Sequence, residues 1–203
     1  MSDRLLSLFI RHGATSANVN HQFRGPLNPP LNEEGLQDAQ SLKEKFRNFD
    51  IGEAYTSDKL RSQQTANILL EPHDIEPIVD KNLDAWNVGY LAGKSKDQHG
   101  DEIKFYQDNP DRPIPGGESL NAFKSRVRPS LRHIIQRGYE TGVPSIAAVH
   151  SSIIHEIGSM LHGNHGEVLV HPGGVVGVFH SQEKGLYAKP LIKPLVKPEG
   201  YGS

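Results

Sequence analysis

Two histidines and two arginines stand where the chain could aim them at a common point. Arg11-His12-Gly13 directly follows the apolar run Leu5–Ile10. His150 directly follows a second run, Ser145–Val149, and precedes the small polar pair Ser151-Ser152 and a helical pattern. Arg61 falls in the first turn of the helical segment that leaves a short strand at Ala54–Thr56. In open α/β sheets ligands bind beyond the carboxyl ends of the strands, so two parallel strands would aim both imidazoles at one edge. A helix N-terminus adds free N–H groups and positive partial charge, which suit anions. Guanidinium groups match phosphoryl oxygens with paired donors. A neutral imidazole can attack phosphorus in line and form a phosphohistidine that water discharges. The second histidine and both arginines would stabilise charge on the equatorial oxygens. Arg11-His12-Gly13 alone is a weak signal, since a surface arginine and a satisfied histidine at a strand end would look the same.

The order of several such elements is far more specific, and here the sequence resembles the histidine phosphatase superfamily, the phosphoglycerate-mutase-like group. The resemblance runs from about Leu8 to Phe179. It opens on Arg11-His12-Gly13-Ala14-Thr15-Ser16-Ala17-Asn18 and continues through Phe23-Arg24-Gly25 and Pro30-Leu31-Asn32-Glu33-Glu34-Gly35. Ser57, Arg61, Gln64, Thr65 and Ala66 then match a helix motif, Gly116-Gly117-Glu118-Ser119 a later element, and His150 the second histidine. The resemblance implies that His12 is the nucleophile, that Arg11 and Arg61 bind the phosphoryl group with Asn18 as a further contact, and that His150 assists in the transition state. It also implies a three-layer α/β/α sandwich around a mostly parallel sheet, with no metal and no organic cofactor.

One position departs from the pattern. Many members carry a catalytic Glu that protonates the leaving oxygen; aligning Leu83, Gly89 and Gly93 places Ala85 there. Asp84 is adjacent and would substitute if the backbone turned its carboxyl inward, while an ordinary solvated carboxylate is the alternative. Glu118 is a second, weaker candidate. General acid catalysis is typically worth about 10²–10⁴-fold, so dephosphorylation is expected to depend on leaving-group quality.

The elements that must position these residues follow from apolar patterning. Strands are expected at Leu5–Ile10, Ala54–Thr56, Ile75–Val79, Ser145–Val149 and Val175–Phe179. Between them a helix opened by Asn32 carries Leu36, Ala39, Phe46 and Phe49 near one face. A second, capped by Ser57 or Asp58, groups Leu60, Gln64 and Ile68, and further helices are expected over 119–137 and 152–161. Strands alternating with helices argue for an α/β domain with a mainly parallel sheet. Residues 1–188 read as one domain. Within it, 87–118 form a charged, Gly/Pro-rich excursion over the site, carrying Tyr90, Lys94, Lys96, Phe105, Tyr106 and Arg112. Residues 189–203 read as an extended Lys/Pro-rich tail.

Composition narrows the function classes. The chain has 203 residues, eleven His and no Cys, which excludes disulfides, a cysteine nucleophile and thiolate metal sites. A net charge of −2 offers no broad basic field for nucleic acid. The longest apolar runs fall far short of the roughly 20 residues of a membrane span. No signal peptide is read, and a cytoplasmic location is expected. His155, His162, His165 and His171 lie close in sequence but show no metal-ligand spacing such as HExxH. The leading expectation is a metal-independent phosphomonoesterase acting on a small phosphorylated substrate. The alternatives are phosphoglycerate-mutase-type phosphoryl transfer and a catalytically weakened phosphate-binding module.

Overall fold

A computed structural model describes residues 3–162, 168 and 170–192. Six strands form one sheet: β1 (Arg4–Arg11), β2 (Ala54–Thr56), β3 (Ile78–Val79), β4 (Ser145–Val149), β5 (Val175–Ser181) and β6 (Gly185–Ile192). Their spatial order is β3-β2-β4-β1-β5-β6. The pairs β3/β2, β2/β4 and β4/β1 are parallel, while β5 and β6 close one side antiparallel. The fold is a three-layer α/β/α sandwich.

Alternation along the central strands explains the layers, since successive side chains leave a strand on opposite faces. In β4, Ala147 and Val149 enter one apolar cluster while Ile146 and Ala148 enter the other. In β1, Phe9 joins the first cluster and Leu8 and Ile10 the second. The second cluster is covered by α2 (Glu33–Phe46) and α3 (Leu60–Leu70), the first by α5 (Leu120–Thr141) and α6 (Ser151–His162). A one-turn α1 (Ser16–Val19) follows the His12 loop, and α4 (Lys96–Asp108) lies within the excursion, with non-helical backbone at His99. Among the described residues no helix is long and apolar enough to cross a membrane.

Several local expectations shift. Asn32 caps α2 as expected, its side chain accepting from the Gly35 N–H at 2.9 Å, but Leu36 is exposed and Leu42 takes the core face with Ala39 and Phe46. Neither Ser57 nor Asp58 is the N-cap of α3; Lys59 is, and Asn28 reaches in to accept the Leu60 N–H at 2.7 Å. The buried face of α3 carries Arg61, Thr65 and Leu69, one residue out of phase with Leu60, Gln64 and Ile68. Burial of the polar Arg61 and Thr65, which serve the site, displaces the apolar stripe that periodicity alone would choose. Strand β3 is only the exposed pair Ile78–Val79. Strand β6 (Gly185–Ile192) runs across residue 189, where the tail was expected to begin, and Ala188, Lys189 and Pro190 pair with β5. Pro is tolerated there because β6 is an edge strand. Residues 193–203 lie outside the described residues.

Candidate active site

Parallel pairing delivers the site. Arg11 and Val149 are register partners at the ends of β1 and β4, so the next residues, His12 and His150, emerge side by side. The His12 N–H donates to the Val149 carbonyl at 2.9 Å, and the two rings meet edge to face with centroids 5.2 Å apart. Beyond the end of β2, next to β4, Ser57 sets its hydroxyl 2.8 Å from His150 Nε2. Arg61 follows in the first turn of α3. These four side chains, from three adjacent strand ends, are all buried.

Two glycines permit the tight loop after β1. A Cβ on Gly13 would lie 2.4 Å from the Gly35 carbonyl oxygen, and one on Gly35 would lie 2.1 Å from that of Ala14. The His12 loop and the first turn of α2 thus touch backbone to backbone. The motif residues of α3 hold the same loop: Thr65 Oγ1 accepts the Gly13 N–H at 3.2 Å, and Gln64 Oε1 accepts the Leu31 N–H at 2.8 Å.

The His12 ring is held in one orientation. Its Nδ1–H donates to the Gly13 carbonyl at 2.7 Å, leaving the Nε2 lone pair toward Arg61 Nε at 3.2 Å and an Arg24 guanidinium nitrogen at 3.3 Å. Burial, then Arg24, Arg61, His150 and Arg11 in decreasing order, holds its pKa well below the ordinary 6.5. The ring is therefore neutral at pH 7. His150 is likewise held low, by burial first and then by Arg61 and Arg24. The Ser57 hydroxyl accepts the Lys59 N–H, which directs its own hydrogen toward His150 Nε2. That assignment leaves a proton on His150 Nδ1, a buried position with no hydrogen-bond partner among the described residues. Buried polar atoms are normally satisfied, so this donor is available to an oxyanion. Arg61 also donates to the Leu27 carbonyl at 2.7 Å, and burial pushes its pKa down to about 10, against the charges of Asp84 and Asp58.

Arg24 was not among the arginines assigned to the phosphoryl group from sequence. It stands at the variable place of the Phe23-Arg24-Gly25 element, and no spacing links it to His12. In the structure it is buried, touches His12 Nε2 and donates to Asn18 Oδ1. Asn18 Oδ1 also takes the Thr15 N–H and hydroxyl, so Asn18 positions Arg24. Arg11 lies farther out: its guanidinium donates to the Val170 carbonyl at 2.7 Å, and its charge acts on His12 less than those of Arg24 and Arg61.

The acid candidates sit elsewhere. Ala85 lines the cavity, whereas the Asp84 carboxylate pairs with Lys59 at 2.7 Å. Burial, together with the neighbouring Asp58 carboxylate, raises the Asp84 pKa against the pull of Lys59. The main-chain carbonyls of Asp84 and Ala85 both accept from Arg126, at 3.0 and 2.9 Å, which opposes the backbone shift that would turn Asp84 inward. Glu118 is committed to that clamp. It accepts from Arg126 at 2.7 and 3.0 Å and from the Asn87 N–H at 2.9 Å.

A cavity of about 560 Å³ opens from Arg24, Arg61 and His150. Of the six excursion residues singled out from sequence, Lys96 lines it, and Val88, Ile103, Gln107 and Asp108 of the same 87–118 segment line it as well. Lys96 keeps solvent contact overall, and burial with the charges of Arg24 and Arg11 lowers its ammonium to about 8. Tyr90 instead bonds Glu102, with Lys94 over its ring, and Arg112 packs on Phe105. Tyr106 packs against the core. Among the described residues no group of three or more His, Asp or Glu is placed to hold a metal ion. His165 lies outside them, as does the side chain of His162.

Known proteins resemble this chain in sequence and fold. A 2,3-bisphosphoglycerate-dependent phosphoglycerate mutase from Methylobacterium sp. is 33% identical over 174 residues, 79% of this chain and 82% of that protein. One from Bartonella tribocorum is 32% identical over 203 residues, 92% of this chain and 98% of that protein. Among solved structures, phosphoglycerate mutase from Bacillus anthracis superposes with a TM-score of 0.78 at 22% identity, covering 93% of each chain. A mycobacterial glucosyl-3-phosphoglycerate phosphatase, solved with VO3, superposes at 0.76 with 20% identity, covering 93% of this chain and 98% of that one. The sequence model of the histidine phosphatase superfamily (branch 1) matches residues 7–170. With its two histidines side by side at the ends of neighbouring parallel strands, the chain belongs to the histidine phosphatase superfamily.

Proposed function

We propose that the protein is a metal-independent phosphatase that hydrolyses phosphomonoesters through a phosphohistidine on His12. The observation that supports this most is the state of His12: neutral, fixed through Nδ1, with its Nε2 lone pair turned toward two guanidinium groups. Nε2 forms the P–N bond as the P–O bond to the alcohol breaks, and the departing oxygen takes up a proton. Water then attacks the phosphohistidine, releasing inorganic phosphate and restoring the neutral ring. Arg24 and Arg61 supply the charge that the equatorial oxygens require, and the orphan Nδ1–H of His150 donates to one of them. With Ala85 on the cavity wall, residue 85 brings no carboxyl group to the leaving oxygen.

Phosphoryl transfer of the mutase type is the second reading, favoured by relatives about one-third identical that are named as mutases. Ala85 counts against it, as does the cavity, which is larger and more apolar than a glycerate requires. Brief incubation with ³²P-labelled ester, a quench and peptide mapping should place label on His12, with free phosphate as the product. With 3-phosphoglycerate, conversion to the 2-isomer rather than phosphate release would establish the mutase. Binding without label or product would leave a phosphate-recognition module.

A further inference from the structure

The cavity is polarised along its length. Arg24, Arg61 and His150 line one end with Lys96, whose ammonium senses the Arg24 and Arg11 charges. From His150 the floor follows α6 through Ser152 and His155 to Glu156. Six residues at 1.5 Å each place Glu156 about 9 Å along the helix from His150. The walls are Phe23, Trp86, Val88, Ile103, Leu120 and Phe123, all apolar and three of them aromatic. Beyond the cationic end, the only charged side chains lining the cavity among the described residues are acidic: Asp108, at the last turn of α4, and Glu156. Glu156 is 2% exposed and its Oε1 accepts from Arg128 Nε at 2.6 Å; Arg128 does not line this cavity.

We infer that the physiological substrate is the phosphate ester of an aromatic or extended apolar alcohol whose far end carries a cation or hydrogen-bond donor directed at Glu156. The inference rests on the phosphatase reading and names its substrate class. A cavity of this size matches sites for ligands well beyond three carbons, since such sites span about 300–1,000 Å³. A second anion on the substrate would meet apolar rings and carboxylates rather than the guanidinium groups. A cationic end instead finds Glu156, with Asp108 near the rim. Because Arg128 already partly neutralises Glu156, the electrostatic preference is modest, about fivefold.

Three esters test this with nearly the same phenol leaving group: O-phosphotyramine, 4-ethylphenyl phosphate and 3-(4-phosphooxyphenyl)propionate. The expected order of kcat/KM is cation, neutral, anion, with about fivefold between the first and last, and 3-phosphoglycerate below all three. Glu156→Gln should bring the tyramine-to-propionate ratio toward one. Ile103→Asn should lower kcat/KM for the ethyl ester relative to phosphate release from acetyl phosphate, which leaves the apolar walls unfilled. Equal rates for the three esters, a preference for the propionate, or 3-phosphoglycerate as the best substrate would overturn the inference while leaving phosphate release intact. Release from none of them, with no label on His12, would instead overturn the phosphatase reading and this inference with it.

Discussion

Restoring a carboxyl group at position 85 isolates the step that this site performs without help. Ala85 lines the cavity with Arg61 and His150, and its carbonyl and that of Asp84 are pinned by Arg126. In Ala85→Glu the new side chain therefore extends into open space from a fixed backbone. Burial raises the pKa of the new carboxyl and a bound phosphoryl dianion raises it further, while Arg24 and Arg61 pull it down; protonation is favoured once substrate is in place. A general acid contributes about 10²–10⁴-fold, or about 2.7–5.4 kcal/mol of barrier. That benefit falls on esters whose leaving oxygen is basic. Steady-state phosphate release from an alkyl ester such as β-glycerophosphate should rise by about 10² or more. Release from p-nitrophenyl phosphate, whose leaving group departs readily as an anion, should change by no more than about threefold. The wild type should accordingly favour the aryl ester strongly, and Asp84→Ala should leave that preference in place. Equal turnover of the two classes by the wild type would refute the reasoning. So would a folded Ala85→Glu variant that still cleaves p-nitrophenyl phosphate with no gain on the alkyl ester.

Other expectations follow from the same geometry. His12→Ala should accumulate no acid-labile phosphoenzyme and lose roughly 10³-fold or more in kcat, whereas Arg24→Ala should keep the label but lose about 10²–10³ in kcat. Arg24→Lys should recover little, because one ammonium cannot span both His12 and Asn18 as a guanidinium does. Both histidines are neutral in the folded state below the ordinary value of 6.5. The acidic limb of kcat/KM should therefore lie below pH 6.5, and a limb above it would count against the burial argument. The unfolded chain takes up protons near pH 6.5 that the folded chain refuses, so stability should fall as pH drops below 6.5, by up to about 1.4 kcal/mol per pH unit for each histidine. Thermal melts across that range should show the slope reduced in His12→Asn. Gly138 lies on the buried face of α5, where a Cβ would stand 1.8 Å from the Leu6 carbonyl oxygen. Gly138→Ala must push the helix off β1, and denaturant unfolding should show a loss of about 3 kcal/mol or more.

Much of this protein is legible in its linear order because the relevant physics is local. Apolar runs with an abrupt polar end mark β1 and β4, and a histidine follows each, after Arg11 in the first and directly in the second, so the juxtaposition of His12 and His150 follows once the strands are parallel neighbours. Gly13, Gly35, Gln64 and Thr65 were recognisable as a pattern, but their reason, a loop packed backbone to backbone on α2 and tied down by α3, exists only in three dimensions. The one-residue phase error in α3 has a physical origin: periodicity assumes that the buried face is apolar, and here it carries Arg61 and Thr65 because the site lies beneath it. Strand β6 was hidden because its Lys189-Pro190 opens a Lys-Pro repeat that resembles an extended tail, while its partner β5 and its edge position decide that it can pair at all. Arg24 was invisible for a related reason, since its approach to His12 is set by a loop whose course no periodicity describes. The sequence by itself determined His12 as the candidate nucleophile, the strand ends that carry the histidines and the absence of a carboxyl group at Ala85, all properties of residues near one another in the chain. Only the tertiary structure decided which arginines face His12, that Asp84 and Glu118 are tied into ion pairs away from the cavity, and that the cavity runs from cations to carboxylates. Those outcomes depend on distances between segments far apart in sequence, which folding sets through the packing of whole elements.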